Sequence, residues 1–128
     1  MKKEKAVIAG WTLKVLIFLF MGVFSARGKF VDWEGKQEMF DKMGFSMDLM
    51  TQIGFIEIFV VLIYLMPGRL GIIGAVLVSS YLGGAVVTHM RVGDAFIFPI
   101  ILSIIAWSAI LLTNKDFKNI MIKGGKNE

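Results

Sequence analysis

With 128 residues, a hydrophobic share of 56% and a mean hydropathy of +0.72, the chain carries more apolar surface than a soluble domain of this size hides, and a bilayer hides it readily. The net charge of +4 sits mostly at the ends of apolar runs, which suits anionic headgroups and argues against nucleic acid as a partner. No cysteine is present, which excludes disulfides, thiol catalysis, Fe–S clusters and Cys-based zinc sites together.

The apolar runs predict four membrane spans, at about 10–25, 49–66, 70–88 and 95–112, with a basic tail over 113–128. The expected fold is all-α: a single transmembrane domain, built as an integral membrane four-helix bundle. Span one has Lys14 near its start. "MKKEK", an apolar stretch and "VFS" (23–25) also fit a signal peptide, a rival reading weakened by a poor cleavage pattern. In the connection 27–46, Phe30, Trp33, Phe40 and Met43 recur at near-helical spacing between charges. They predict a short interfacial helix between spans one and two, with Trp33 at headgroup depth and Gly44 as its end. An ordinary polar loop is the plainer alternative.

Span two contains Glu57, eight residues beyond Leu49 and so about 12 Å along the helix. A carboxylate facing lipid is costly, so Glu57 is expected to point inward and to be either protonated or paired. "MPGRLG" (66–71) supplies a fixed φ and then a permissive one, folding spans two and three into a hairpin. In span three, Ser80, Gly84 and Thr88 repeat every four residues, as do Ser79 and Gly83, a spacing that lets a neighbouring helix approach closely. Tyr81 lies eight residues before His89, about 12 Å deeper and level with Glu57, where its phenol can donate to the carboxyl.

"RVGDAF" (91–96) is a second short turn, in which Asp94 is expected to cap span four and to pair with Arg91. Pro99 falls early in span four and starts or kinks it. The nine methionines read as adaptable packing. In the tail, Phe117, Ile120 and Met121 are expected to touch the interface before Gly124 and Gly125 release the chain. Lys2, Lys3, Lys5, Lys14, Arg69, Lys115, Lys118, Lys123 and Lys126 fall on one side. The other side holds Arg27, Lys29, Lys36, Lys42 and Arg91, diluted by acids, so both termini are expected in the cytoplasm.

Five stretches carry a family resemblance: "FSARGKF" (24–30), "MGFS" (43–46), "IGFIE" (53–57), "MPGRLG" (66–71) and "YLGGAVVTHMRVGD" (81–94). In this order the chain resembles the DoxX-like family of small bacterial four-helix membrane proteins. It departs at Ala26, where the family usually has Gly, and at Ser46, which follows Phe45 where the family often has Tyr-Pro. The resemblance implies a bacterial inner (plasma) membrane location. It also implies kinship with the membrane subunits of thiosulfate:quinone oxidoreductase and of other redox complexes.

The candidate ligand-binding residues are Lys29, Glu57, Tyr81, His89, Arg91 and Asp94, with Ser80, Gly83, Gly84 and Thr88 as helix-packing residues. Lys29, His89, Arg91 and Asp94 are expected at the outer rim, with Glu57 and Tyr81 deeper. His89 is the only histidine, so a metal site lacks ligands, and none is expected. A titrating imidazole instead suits proton transfer, or a hydrogen bond to a quinone or a lipid carbonyl. No cofactor is evident, and quinone is the candidate ligand. Candidate partners are the lipid bilayer, a redox subunit and a second copy in a homodimer.

Three functions are compatible with these residues. The first is a non-catalytic subunit or quinone-binding module of a membrane redox complex. The second is a quinone-linked oxidoreductase using Glu57, Tyr81 and His89 for protons. The third is a small lipid or solute transporter.

Overall fold

The computed structural model describes residues 1–124, and all regular structure there is helical. Gly125 and Lys126, assigned above to the tail, lie outside the described residues. The first helix runs unbroken through α1 (Lys2–Ile17), a π-helical stretch (Phe18–Ser25) and α2 (Ala26–Phe30). After a turn come α3 (Lys36–Met43), α4 (Met47–Leu65), α5 (Gly68–Val92), α6 (Ile97–Thr113) and α7 (Lys115–Lys123). Three helices are long and apolar enough to cross a membrane: Lys2–Phe30, α4 and α5. The pair α6 and α7, bent by 102°, brings the count to four if the pair is one span. The protein is a helical membrane bundle.

Several helices extend beyond the apolar runs because lysine, glutamate and arginine are good helix formers and prolong a helix past the hydrocarbon. The helices close a ring in which α1 packs on α6, α6 on α5, α5 on α4, and α4 on the π-helical stretch. Glycine permits the tightest contacts. A Cβ on Gly74 would come within 2.2 Å of the Tyr64 backbone, and one on Gly71 within 2.5 Å of the Met66 carbonyl oxygen. A Cβ on Gly10 would stand 2.7 Å from Leu112 and Thr113. These glycines, and not those of span three's later half, bring backbones together in the way lipid-solvated helices require.

The expected packing role of Ser80, Gly83, Gly84 and Thr88 is therefore corrected. An added Cβ on Gly83 or Gly84 meets no atom within 4 Å. The hydroxyls of Ser80 and Thr88 donate back to Val76 and Gly84 within their own helix. Small residues at this spacing also form where a helix borders a hollow, and Ser80, Gly84 and Thr88 do so.

One end of the bundle, where α7 lies, is filled. Lys14 is only 1% exposed; its ammonium donates to the Met66 carbonyl at 3.0 Å and stands 4.4 Å from the Trp11 ring centre. The lysine thus satisfies a carbonyl that α4 leaves open at its C-terminus. Tyr64, fully buried, donates to the Ala106 carbonyl at 2.9 Å, and the Trp107 indole donates to Ser79 at 2.6 Å. Asn114 makes the sharp bend into α7: its side chain accepts from the Phe117 N–H and donates to the Gly68 carbonyl. Phe117 stacks on Trp107, Ile120 and Met121 stay exposed, and Gly124 ends α7 in the left-handed region. Pro99 sits in the first turn of α6, where no intrahelical donor is lost.

At the other end lies α3. It starts later than the sequence spacing predicts, after Gly35 at φ 83°, so Phe30 falls in α2 and Trp33 in the turn. Gly44, at φ 79°, ends it as expected. Phe40 and Met43 are buried, so the helix lies over the bundle with its apolar side down.

Candidate functional site

Beneath α3 the helices border a partly open cavity of about 540 Å³. That falls within the range of small-molecule sites. Met39, Phe40 and Met43 of α3 form its roof. The π-helical stretch, α5 and α6 contribute mostly apolar walls, including Phe20, Met21, Phe98 and Leu102.

Its polar groups come together through local rules. Gly54 lets α2 settle against α4, since a Cβ there would come within 2.9 Å of the Phe30 ring and 3.1 Å of the Lys29 Cβ. One turn further along α4 stands Glu57. Lys29 reaches back one turn of its own helix and donates to Glu57 Oε2 at 2.7 Å, to Ser25 Oγ at 3.0 Å and to the Ser25 carbonyl at 3.3 Å. All three ammonium donors are thereby used. Side-chain exposure is 11% for Lys29 and 2% for Glu57. Glu57 is inward and paired, one of the two states expected. Its partner is the correction: Lys29 stands inside the bundle and not at the rim. The sequence places the two residues on different helices, and only their packing shows that they meet.

Tyr81 lines the same cavity, and its phenol is a further polar neighbour of the Glu57 carboxylate. The level expected from counting residues along two helices is met, although the short contact to the carboxylate is that of Lys29. His89, two turns along α5, also lines the cavity, and its Nδ1 is buried without a hydrogen-bond partner among the described residues. Buried polar atoms are rarely left so.

Arg91 and Asp94 do not pair with each other. The Arg91 guanidinium donates to the Met43 carbonyl at the end of α3 and lies over the Phe45 ring. Asp94 accepts from Lys42 of α3 at 2.9 Å. Nor does Asp94 cap α6, whose N-cap is Phe96 with no side-chain bond. The reason is local. Gly93 takes φ 75°, and the Asp94 N–H returns to the His89 carbonyl at 2.9 Å, so Asp94 completes the end of α5 before α6 begins. Both residues clamp α3 onto α5.

Sequence reasoning missed Ser25, Lys36 and the roof. Lys36 is 5% exposed, and its ammonium donates to the carbonyls of Val31 and Lys29, closing the end of α2. Nothing in its charged, solvent-like surroundings in the sequence signals that burial. The roof had a signal, since Phe40 and Met43 already stood on the predicted apolar stripe. Among the described residues no three His, Cys, Asp or Glu side chains cluster. Chemically, the site offers an apolar hollow, an internally neutralised ion pair, a phenol and one unspent imidazole nitrogen.

A family model described as the DoxX-like family matches residues 12–109, and the chain belongs to that family. No curated protein and no solved structure matches it.

Proposed function

We propose that this DoxX-like membrane protein is a ligand-binding, non-catalytic subunit of a membrane redox complex, holding a quinone in the cavity beneath α3. The observation that carries the reading is a mostly apolar hollow whose lining includes Tyr81, the Lys29–Glu57 pair and His89, an imidazole whose buried Nδ1 has no partner among the described residues. A flat ring with hydrogen-bonding oxygens fills such a hollow and supplies what the imidazole lacks. The clustering of Lys2, Lys3, Lys5, Arg69, Lys115 and Lys118 toward the α7 end supports cytoplasmic termini, with α3 on the outer face of a bacterial inner membrane.

Trp33 gives the test, because it is the tryptophan that lines this cavity. Titrating the purified full chain with a decyl-tailed benzoquinone is expected to quench its fluorescence saturably, and Trp33→Phe is expected to remove the saturable part. Quenching that only rises linearly with quinone overturns the reading. A second reading, a quinone-linked oxidoreductase, is favoured by one observation: Glu57, Tyr81 and His89 line one cavity. Its electrons would come from a partner protein or a soluble reductant, and the three residues would carry protons.

A further inference from the structure

Resting on the ligand-binding reading above, we infer that the occupant is a single-tailed, uncharged amphiphile that enters sideways from the bilayer, between the π-helical stretch and α6. The first helix and α6 are in tight contact near Gly10, at the α7 end of the bundle. Further along, the π-helical stretch takes α4 as its main neighbour. On the α6 side two rings bridge the space, Phe20 and Phe98, edge to face with centres 5.1 Å apart. Both rings line the cavity; Phe98 is 50% exposed, and Phe24, beside Phe20, is 75% exposed. On this side the cavity is therefore bordered by aromatic side chains and not by closely packed helices.

The contrast with the roof fixes the direction of access. α3 is held down by the Arg91 bond to the Met43 carbonyl and by the Lys42–Asp94 pair, and the turn before it by Lys36 on Val31. Opening that side breaks several polar contacts together. Opening the ring pair needs only a rotamer change, which breaks no hydrogen bond.

The head's charge follows from the ion pair. Among the described residues, Lys29 and Glu57 are the only Lys, Arg, Asp or Glu side chains that line the cavity. They neutralise each other at 2.7 Å with all the ammonium donors occupied, so a charged head finds no free counter-ion there. What remain for the head are the Tyr81 phenol and the His89 imidazole, which suit a carbonyl or hydroxyl. The tail then leaves between Phe20 and Phe98.

The test uses the full chain in phospholipid vesicles and the quenching of Trp33 by three probes: a decyl-tailed benzoquinone, its tail-less head, and laurate as competitor. Phe20→Ala with Phe98→Ala is expected to speed the onset of quenching by the tailed probe at least fivefold. Phe98→Leu serves, with a smaller acceleration, if the double variant does not fold. Lys42→Ala, which loosens the roof, is expected to leave the onset rate unchanged, the tail-less head to bind at least tenfold more weakly, and laurate not to compete. Acceleration by Lys42→Ala but not by the ring variants overturns the lateral route in favour of access under α3. Equal binding of head and tailed probe, or competition by laurate, overturns the ligand class. No saturable quenching of the wild-type chain by any probe overturns the ligand-binding reading itself.

Discussion

Lys14 and Lys29 lie inside the bundle toward opposite ends and are answered differently, while Lys36, buried beside α3, closes α2 much as Lys14 closes α4. Lys14, at the α7 end, meets a carbonyl and aromatic rings in a region closed by Gly71 and Gly74. Lys29, at the α3 end, meets a carboxylate on the wall of a hollow. A carbonyl is already present wherever a helix ends, so a lysine spent on it serves the fold. A carboxylate in the middle of an apolar helix is costly, and it stands where the bundle is least filled. The α7 end reads as scaffold and the α3 end as site.

Substitutions can break this contrast, and the largest effect is expected in the filled end. Gly74→Val places side-chain atoms where the Tyr64 backbone stands, so little folded protein is expected from detergent extraction, by size-exclusion chromatography. Next comes the ion pair. Glu57→Ala leaves a buried ammonium unmatched and is expected to cost about 3–5 kcal/mol, read by thermal unfolding in detergent. Lys29→Met combined with Glu57→Leu is expected to recover most of that stability. A double variant no more stable than Glu57→Ala would break the assignment of the two residues as a pair.

Gly84→Val separates the ends most directly. It adds volume where nothing lies within 4 Å, so stability is expected to hold while the cavity shrinks and quinone binding weakens. A fall in stability matching that of Gly74→Val would erase the distinction between the ends. His89→Leu removes the imidazole and the one hydrogen bond it is assigned to the ligand, worth roughly 1 kcal/mol or a several-fold loss of affinity, with unfolding temperature unchanged. Smallest is Lys42→Ala: its pair with Asp94 is exposed, and a change under about 1 kcal/mol is expected in the same unfolding assay.

The sequence made the scaffold far more legible than the site. Span order and hairpins follow from apolar run length and from the Pro67–Gly68 turn, which are local properties. α3 was legible for the same reason, through the spacing of Phe40 and Met43 and the stop at Gly44. The site depends on which face of one helix meets which face of another. Lys29 and Glu57 lie 28 residues apart, and no local pattern joins them. Ser80, Gly84 and Thr88 show the same limit in reverse. Four-residue spacing of small side chains looks identical whether the strip faces a backbone or a cavity. Asp94 was read through its sequence neighbours, Arg91 and span four, but the end of α5 took its backbone and α3 took its charge.

The π-helical stretch has a bearing on the phase of everything beyond it. Each residue of an α-helix turns the chain by about 100°, so removing one residue upstream rotates the remainder by that angle. Ser25 is the last residue of this wider segment, and Lys29 lies one turn beyond it in α2. Shortening it by one residue would aim the Lys29 ammonium away from Glu57 while leaving the membrane anchoring of α1 untouched. The widened stretch is thus the register setting of the first helix: it aligns the ion pair, and its length is held by a partner on a different span.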